Sequence, residues 1–366
     1  GRASMKALPL LTHVLRDPPS MAALDAPGWE LLLRQAGAAD LGATLALLAA
    51  EHDLLPRLPP PVRRRLAWSR TAWERHTQAV AFEVQRVRSA LLPTGLPLIL
   101  LKGTAYVAAG LPAASGRLFS DIDILVPKTA LADVESQMLL HGWASTHLDD
   151  YDQRYYRQWM HELPPMQHVR RASVVDIHHA ILPETAAVRP DPALLRGAAR
   201  SIPGAPGLQV LAPCDMVLHS ATHLFSEGEY HHGLRDLFDL HRLLCHFGAS
   251  EPGFWQALPA RARQLELARP LFYALRYSMA LLGTPVPAAT LAEAAVGRPN
   301  PALLALMDVL FGNALRPPLP GCGGMLSPAF DGCLYIRGNW LRMPPLMLSR
   351  HLFQKAFLSQ RNVKSV

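Results

Sequence analysis

Apolar residues recur at intervals of three and four through residues 29–54, and again through 61–92, where Trp68, Trp73, Phe82 and Val87 stand among arginines. That period predicts amphipathic helices. Pro59-Pro60-Pro61 separates the two parts, and Pro93-Thr94-Gly95 ends the second, because a helix interior needs an amide that proline lacks. The period then changes. Leu98-Ile99-Leu100-Leu101 continues an apolar run from Leu96 that reads as a buried strand, and residues 105–109 resume as helix. Ser120-Asp121-Ile122-Asp123-Ile124-Leu125-Val126 and Ser173-Val174-Val175-Asp176-Ile177-His178-His179 alternate with period two and read as further strands. Between them, residues 128–141 have a helical stripe that Gly142 stops. Residues 211–248 read as helix throughout, and beyond Pro252 the chain continues as helices punctuated by proline. The expected class is α+β: a small mixed-sheet core at 96–205, an N-terminal helical region at 5–95 and a C-terminal helical region at 206–366. Residues 1–4, Gly-Arg-Ala-Ser before Met5, read as a cloning remnant.

Chemistry enters where charge interrupts the strands. Side chains at i and i+2 of a strand share a face, so Asp121 and Asp123 project side by side. Adjacent carboxylates on an apolar strand are costly unless something neutralises them, and the hard cation Mg²⁺ suits oxygen donors. Asp176 and His178 share a face in the same way. Lys102-Gly103-Thr104 follows a strand and opens a helix, a context that offers free backbone amides, a hydroxyl and a cation to an anion. Three carboxylates from two strands beside such a turn suit two-metal in-line displacement at phosphorus. The competing reading has Asp121 capping a strand and Asp123 paired with an arginine.

These segments resemble the polymerase-β-type nucleotidyltransferases. Leu-Lys-Gly-Thr-Ala, then Arg-x-x-Ser-Asp-Ile-Asp-Ile-Leu-Val, then Val-Asp-Ile-His are similar to a bacterial family of uncharacterised nucleotidyltransferases, closely over residues 96–182 and more loosely through Asp236. The resemblance implies that Asp121 and Asp123 ligate the metals. Asp176 would join them at the catalytic ion and accept the proton of the attacking hydroxyl. It implies nucleotide binding by Lys102, Gly103, Thr104, Ser120 and His178, with Thr104 and Ser120 on phosphate oxygens. The implied cofactor is Mg²⁺ in a two-ion site, with Mn²⁺ as the substitute. ATP or another nucleoside triphosphate is the donor; the acceptor is a small molecule or a peptide or protein. The usual Gly-Ser phosphate turn is Gly103-Thr104 here, and the gap to Asp121 is longer than in compact members. Arg117 in that gap faces either a triphosphate or nothing, as part of a passive turn. Alternatives on the same fold are transfer from a nucleotide-sugar and a non-catalytic, antitoxin-like nucleotide-binding partner.

Other segments carry weaker signals. Residues 143–171 hold Tyr151, Tyr155, Tyr156, Trp159, His161 and Glu162, read either as an acceptor-facing wall or as a hairpin packed on the sheet. His219 and His223 have zinc-compatible spacing but lack the glutamate of a metalloprotease between them, so His219, His223, His231, His232, His241 and His246 read as satisfied polar or interface residues. In the run 234–240, Leu237 and Leu240 point to the core. Arg235 is either a nucleotide or acceptor contact, an alternative shared by Asp236, or one half of an internal salt bridge with Asp239. Gly321-Cys322-Gly323-Gly324 reads as a turn and residues 347–357 as a basic terminal helix.

Composition sets the limits. A chain of 366 residues that is half hydrophobic has ample core for two or three domains. No apolar run reaches the roughly 18 residues a membrane span needs. Four cysteines without metal-ligand spacing fit a reducing cytoplasm, the expected location. The net charge of +7 favours an anionic partner, which a nucleotide already satisfies. No aromatic-interleaved basic motif points to nucleic acid.

Overall fold

A computed structural model describes residues 8–146, 160–319 and 327–343. Its centre is a mixed sheet of seven strands in the order β3-β4-β5-β2-β1-β7-β6. The strands are β1 (Leu98–Leu100), β2 (Asp121–Leu125), β3 (Trp143–Ser145), β4 (Met166–His168), β5 (Val174–His178), β6 (Arg200–Ser201) and β7 (Leu208–Val210). β1 runs antiparallel to β2 and parallel to β7, while β2 runs parallel to β5. The α+β class with helical flanks is as expected. β1 begins at Leu98 rather than Leu96, and the helix after it begins at Lys102 rather than Ala105, so the Lys-Gly-Thr run is that helix's first turn.

Ahead of the sheet lie α1 (Leu10–Arg16), α2 (Ala26–Ala38), α3 (Gly42–Glu51) and the long α4 (Pro60–Leu91). Proline occupies the first turn of α4, where its missing amide costs nothing, and Gly95 closes the far end with φ 67°. The buried stripe of α4 is Val62, Leu66, Val80, Val84, Val87, Ala90 and Leu91, whereas Trp68 and Phe82 face solvent. Glu83 lies in that stripe because Arg171 and Ser173 reach it. Arg171 donates Nε to Oε1 at 2.6 Å and Nη2 to Oε2 at 3.1 Å, and Ser173 Oγ donates to Oε2 at 2.9 Å. A bidentate clamp of this kind fixes α4 against the turn that leads into β5.

Next come α5 (Lys102–Ala108), α6 (Leu131–Leu140) and α7 (Pro192–Ala198), and then the C-terminal helices. Those are α8 (Pro213–Ser226), α9 (Gly233–Ser250), α10 (Phe254–Gln264), α11 (Ala268–Leu282), α12 (Ala288–Ala294), α13 (Pro301–Ala314) and α14 (Ser327–Arg342). The predicted continuous helix over 211–248 is two helices, α8 and α9, broken between Glu227 and His232. A side chain at Gly228 would lie 2.9 Å from the Tyr335 backbone of α14, so the break is a tertiary packing point. Phe225, Tyr273, Tyr277 and Phe311 interlock edge-to-face and stacked beneath it. No helix among the described residues is long and apolar enough to cross a membrane.

Candidate active site

The parallel register of β2 and β5 sets Asp123 opposite Asp176, with Asp121 two residues earlier on the same face of β2. One carboxylate oxygen of each lies within 4.8 Å of the others. Alternation buries Ile122, Ile124, Val175 and Ile177 on the other face, so the apolar half of each strand fixes the direction of its acidic half.

Each carboxylate has its own surroundings. Asp121 begins its strand at the edge of the site and accepts from Ser120 Oγ at 3.3 Å. Asp123 is buried, and it pairs with a lysine and a histidine rather than with an arginine. Lys102 Nζ lies 3.4 Å and His178 Nε2 2.8 Å from its Oδ1. Burial alone would favour the neutral acid; Lys102 and His178 overcome it and hold the carboxyl well below the usual range. Asp176 has no such partner. Its Oδ1 is buried without a hydrogen bond, and burial together with the Asp123 and Glu162 charges pushes its pKa up to about 8. A buried, unpartnered carboxylate oxygen facing other carboxylates is what a divalent cation would satisfy, so the donor set fits one.

Lys102 arrives by a local device. The Leu101 amide donates to the Asp123 carbonyl at 2.9 Å, and Lys102 takes φ 45°. A left-handed lysine costs on the order of 1 kcal/mol, and here it turns the ammonium onto Asp123. Against burial, Asp123, Glu227, Asp121 and Glu162 hold that ammonium charged.

The rest of the Lys-Gly-Thr turn is more enclosed than its sequence implies. A side chain at Gly103 would lie 2.5 Å from Arg117 Nη1 and 2.8 Å from the Phe119 ring, so glycine admits the Arg117 guanidinium here. Thr104 is fully buried and its hydroxyl has no hydrogen-bond partner, which leaves it below the surface of the site. Arg117 itself is engaged by carboxylates of α9. Its Nε donates to Asp239 at 2.5 Å, and Nη2 lies 3.6 Å from Asp236. Arg235 donates to Asp236 Oδ1 and, at 3.2 Å, to the Leu118 carbonyl. In place of the Arg235–Asp239 helix bridge, one of the two alternatives, the arginines and aspartates pair in a crossed arrangement. Both arginines clamp the 117–119 segment, which leads into Asp121, onto α9. Leu237 and Leu240 of α9 are fully buried, as their spacing predicts.

Two groups whose roles the sequence left open stand at the site. Glu162 Oε2 lies 3.1 Å from His178 Nδ1, and His161 stacks on His178 with ring centroids 5.4 Å apart. Adjacency of His161 and Glu162 was the only signal, since a single bridge to His178 rather than a strand brings them in. Opposite, His219, His223 and Glu227 form one stripe of α8 and its cap, at spacing i, i+4, i+8. The site acts on them in turn: burial, with Lys102 adding to it, pushes His219 down to about 3 and His223 well below its usual value, so both imidazoles are neutral. Glu227 is raised by burial, with Lys102 opposing. His223 Nε2 and Glu227 Oε2 are 3.3 Å apart, and among the described residues this histidine pair joins no metal-binding group. Tyr151, Tyr155, Tyr156 and Trp159, as well as residues 321–324 and 347–357, lie outside the described residues.

A mixed sheet that presents three carboxylates beside a lysine at a helix start is the site of an enzyme that transfers phosphorus-containing groups. Residues 25–283 match the family described as uncharacterised nucleotidyltransferase, and the chain belongs to it. The match begins in the N-terminal helices and ends at α11, so it takes in part of each helical flank as well as the sheet. No curated protein and no solved structure matches the chain.

Proposed function

We propose that the chain moves a nucleoside monophosphate from ATP or another nucleoside triphosphate to a hydroxyl or phosphate of a small molecule or of a peptide or protein, releasing diphosphate. The supporting observation is the trio of carboxylates, with the unpartnered buried oxygen of Asp176 among them. Asp121, Asp123 and Asp176 would hold Mg²⁺, or Mn²⁺ in its place, which neutralises phosphate charge and favours the ionised form of an acceptor oxygen. The acceptor oxygen bonds to the α-phosphorus as the bond to diphosphate breaks. Asp176, which a nearby cation would keep ionised, takes the acceptor's proton. Lys102 offsets charge as it develops on the diphosphate. Ser120, exposed at the mouth of the site, is placed to donate to a phosphate oxygen. Arg117 and Arg235 serve by holding the 117–119 segment. The acceptor enters between the His161-Glu162 segment and the His219–Glu227 stripe.

Asp176→Asn tests the assignment. The variant should fold with an undiminished melting temperature, bind nucleotide, and lose transfer by at least about a thousandfold, measured as diphosphate release. Full activity in Asp176→Asn would show that another group takes the proton.

A further inference from the structure

We propose that His161, Glu162 and His178 form a second metal site, separate from the three aspartates, that takes a first-row transition ion such as Zn²⁺. One ligand atom from each lies within 4.8 Å of the others, and none of the three belongs to the aspartate group. The donors are two imidazole nitrogens and a carboxylate oxygen. That set matches three-ligand zinc sites with an open fourth position, and nitrogen donors select such ions over Mg²⁺.

His161 Nδ1 is buried with no hydrogen-bond partner, so the site contains a nitrogen lone pair with nothing assigned to it. The His161 and His178 rings stack at an interplanar angle of 29°, which holds the two imidazoles side by side. Glu162 Oε2 and His178 Nδ1 are 3.1 Å apart. Two donors at that separation, each about 2.1 Å from one ion, subtend roughly 95° at it, within the range such sites tolerate. His161 closes the remaining gap by moving at most about 1.4 Å, since two donors at zinc distance in a tetrahedral site lie about 3.4 Å apart.

The backbone holds these side chains without help from a ligand. Leu163 N donates to the Ile177 carbonyl at 2.9 Å, and His179 N to the His161 carbonyl at 2.8 Å, so the 161–163 segment is stitched to the end of β5. The partner of the opposite ring nitrogen completes the arrangement. His178 Nε2 lies 2.8 Å from Asp123 Oδ1. An ion on Nδ1 leaves the proton on Nε2 and makes Asp123 the acceptor that orients the ligating ring, as carboxylates commonly do behind metal-bound histidines. Asp123 thereby touches both sites.

This inference does not depend on nucleotidyl transfer, and ion binding alone reads it. The full chain, stripped with a chelator, is titrated with Zn²⁺ by calorimetry, and with Co²⁺ by absorption as a report on nitrogen ligation. One Zn²⁺ per chain is expected, kept by Asp121→Asn/Asp176→Asn and weakened at least tenfold by His161→Phe and by Glu162→Gln. Phe preserves the stack, Gln preserves the shape, and circular dichroism confirms folding. Failure of the wild-type chain to bind Zn²⁺, or unchanged affinity in both His161→Phe and Glu162→Gln, overturns the site. So does binding lost only in Asp121→Asn/Asp176→Asn, which would put the ion on the aspartates.

Discussion

Asp123 and Asp176 face each other across paired strands, yet their surroundings pull them apart. One is held ionised by Lys102 and His178; the other is left to take up a proton or a cation. The spacing of the aspartates made their common face readable, because strand alternation is a local property. Partners brought from afar were not readable in the same way. Arg117 finds Asp239 across 122 residues, and no local pattern distinguishes a guanidinium that clamps a loop from one that awaits a phosphate. Arg117→Leu should therefore cost about 3–5 kcal/mol in urea unfolding, because it would leave the buried Asp239 carboxyl without its guanidinium partner. A loss below about 1 kcal/mol would mean that the guanidinium is not a structural clamp. Gly103→Ala should cost about 1–3 kcal/mol, since the new methyl meets Arg117 and Phe119. It should also weaken nucleotide binding by displacing Lys102, which calorimetry can check beside the melt.

At the scale of elements, α4, α6 and β2 follow their periods closely, and the main errors lie where two elements meet. Residues 211–248 keep a helical stripe across Glu227-Gly228, but Gly338 of α14 comes so close that a side chain there would sit 2.5 Å from the Gly228 amide nitrogen. No sequence period reports that approach. Gly338→Ala should push α14 away from the end of α8 and lower stability by about 1–3 kcal/mol. Thermal unfolding with an unchanged midpoint would contradict the packing. The α9 histidine His241 accepts or donates at Thr284 Oγ1 at 2.8 Å, and burial, aided by Arg242, pushes its pKa down to about 4. Its unfolded value is higher, so the unfolded chain binds more protons between the two. The stability it supports is present above about pH 6.5 and falls as pH drops toward 4. His241→Phe should reduce the loss in unfolding free energy between pH 7 and pH 5 by roughly 1–2 kcal/mol. An identical loss in both proteins would show that this histidine is not buried neutral.

Across the whole molecule, the sheet gathers its site from segments separated by two helical flanks. The expected close resemblance covered 96–182, whereas the family match runs over 25–283 and so takes in α4, which braces β5 through Glu83, and α8, whose capping Glu227 acts on Lys102. Those flanks carry little local chemistry, so the sequence alone presented them as scaffold. Several of the arginines are less free than they read. Arg117, Arg171, Arg235 and Arg261 each direct their guanidinium to a carboxylate within the fold. The arginines 63–65 at the start of α4 remain exposed.

The central claim is that the aspartates form a metal-dependent nucleotide site. Calorimetric titration of each nucleoside triphosphate, with and without Mg²⁺, on the wild-type chain and on Asp121→Asn/Asp123→Asn tests it most directly. At least one triphosphate is expected to bind only with Mg²⁺, and the variant to abolish this binding. Absence of binding by every triphosphate, or binding unchanged in the variant, would contradict it and turn attention to a nucleotide-sugar donor or a non-catalytic role.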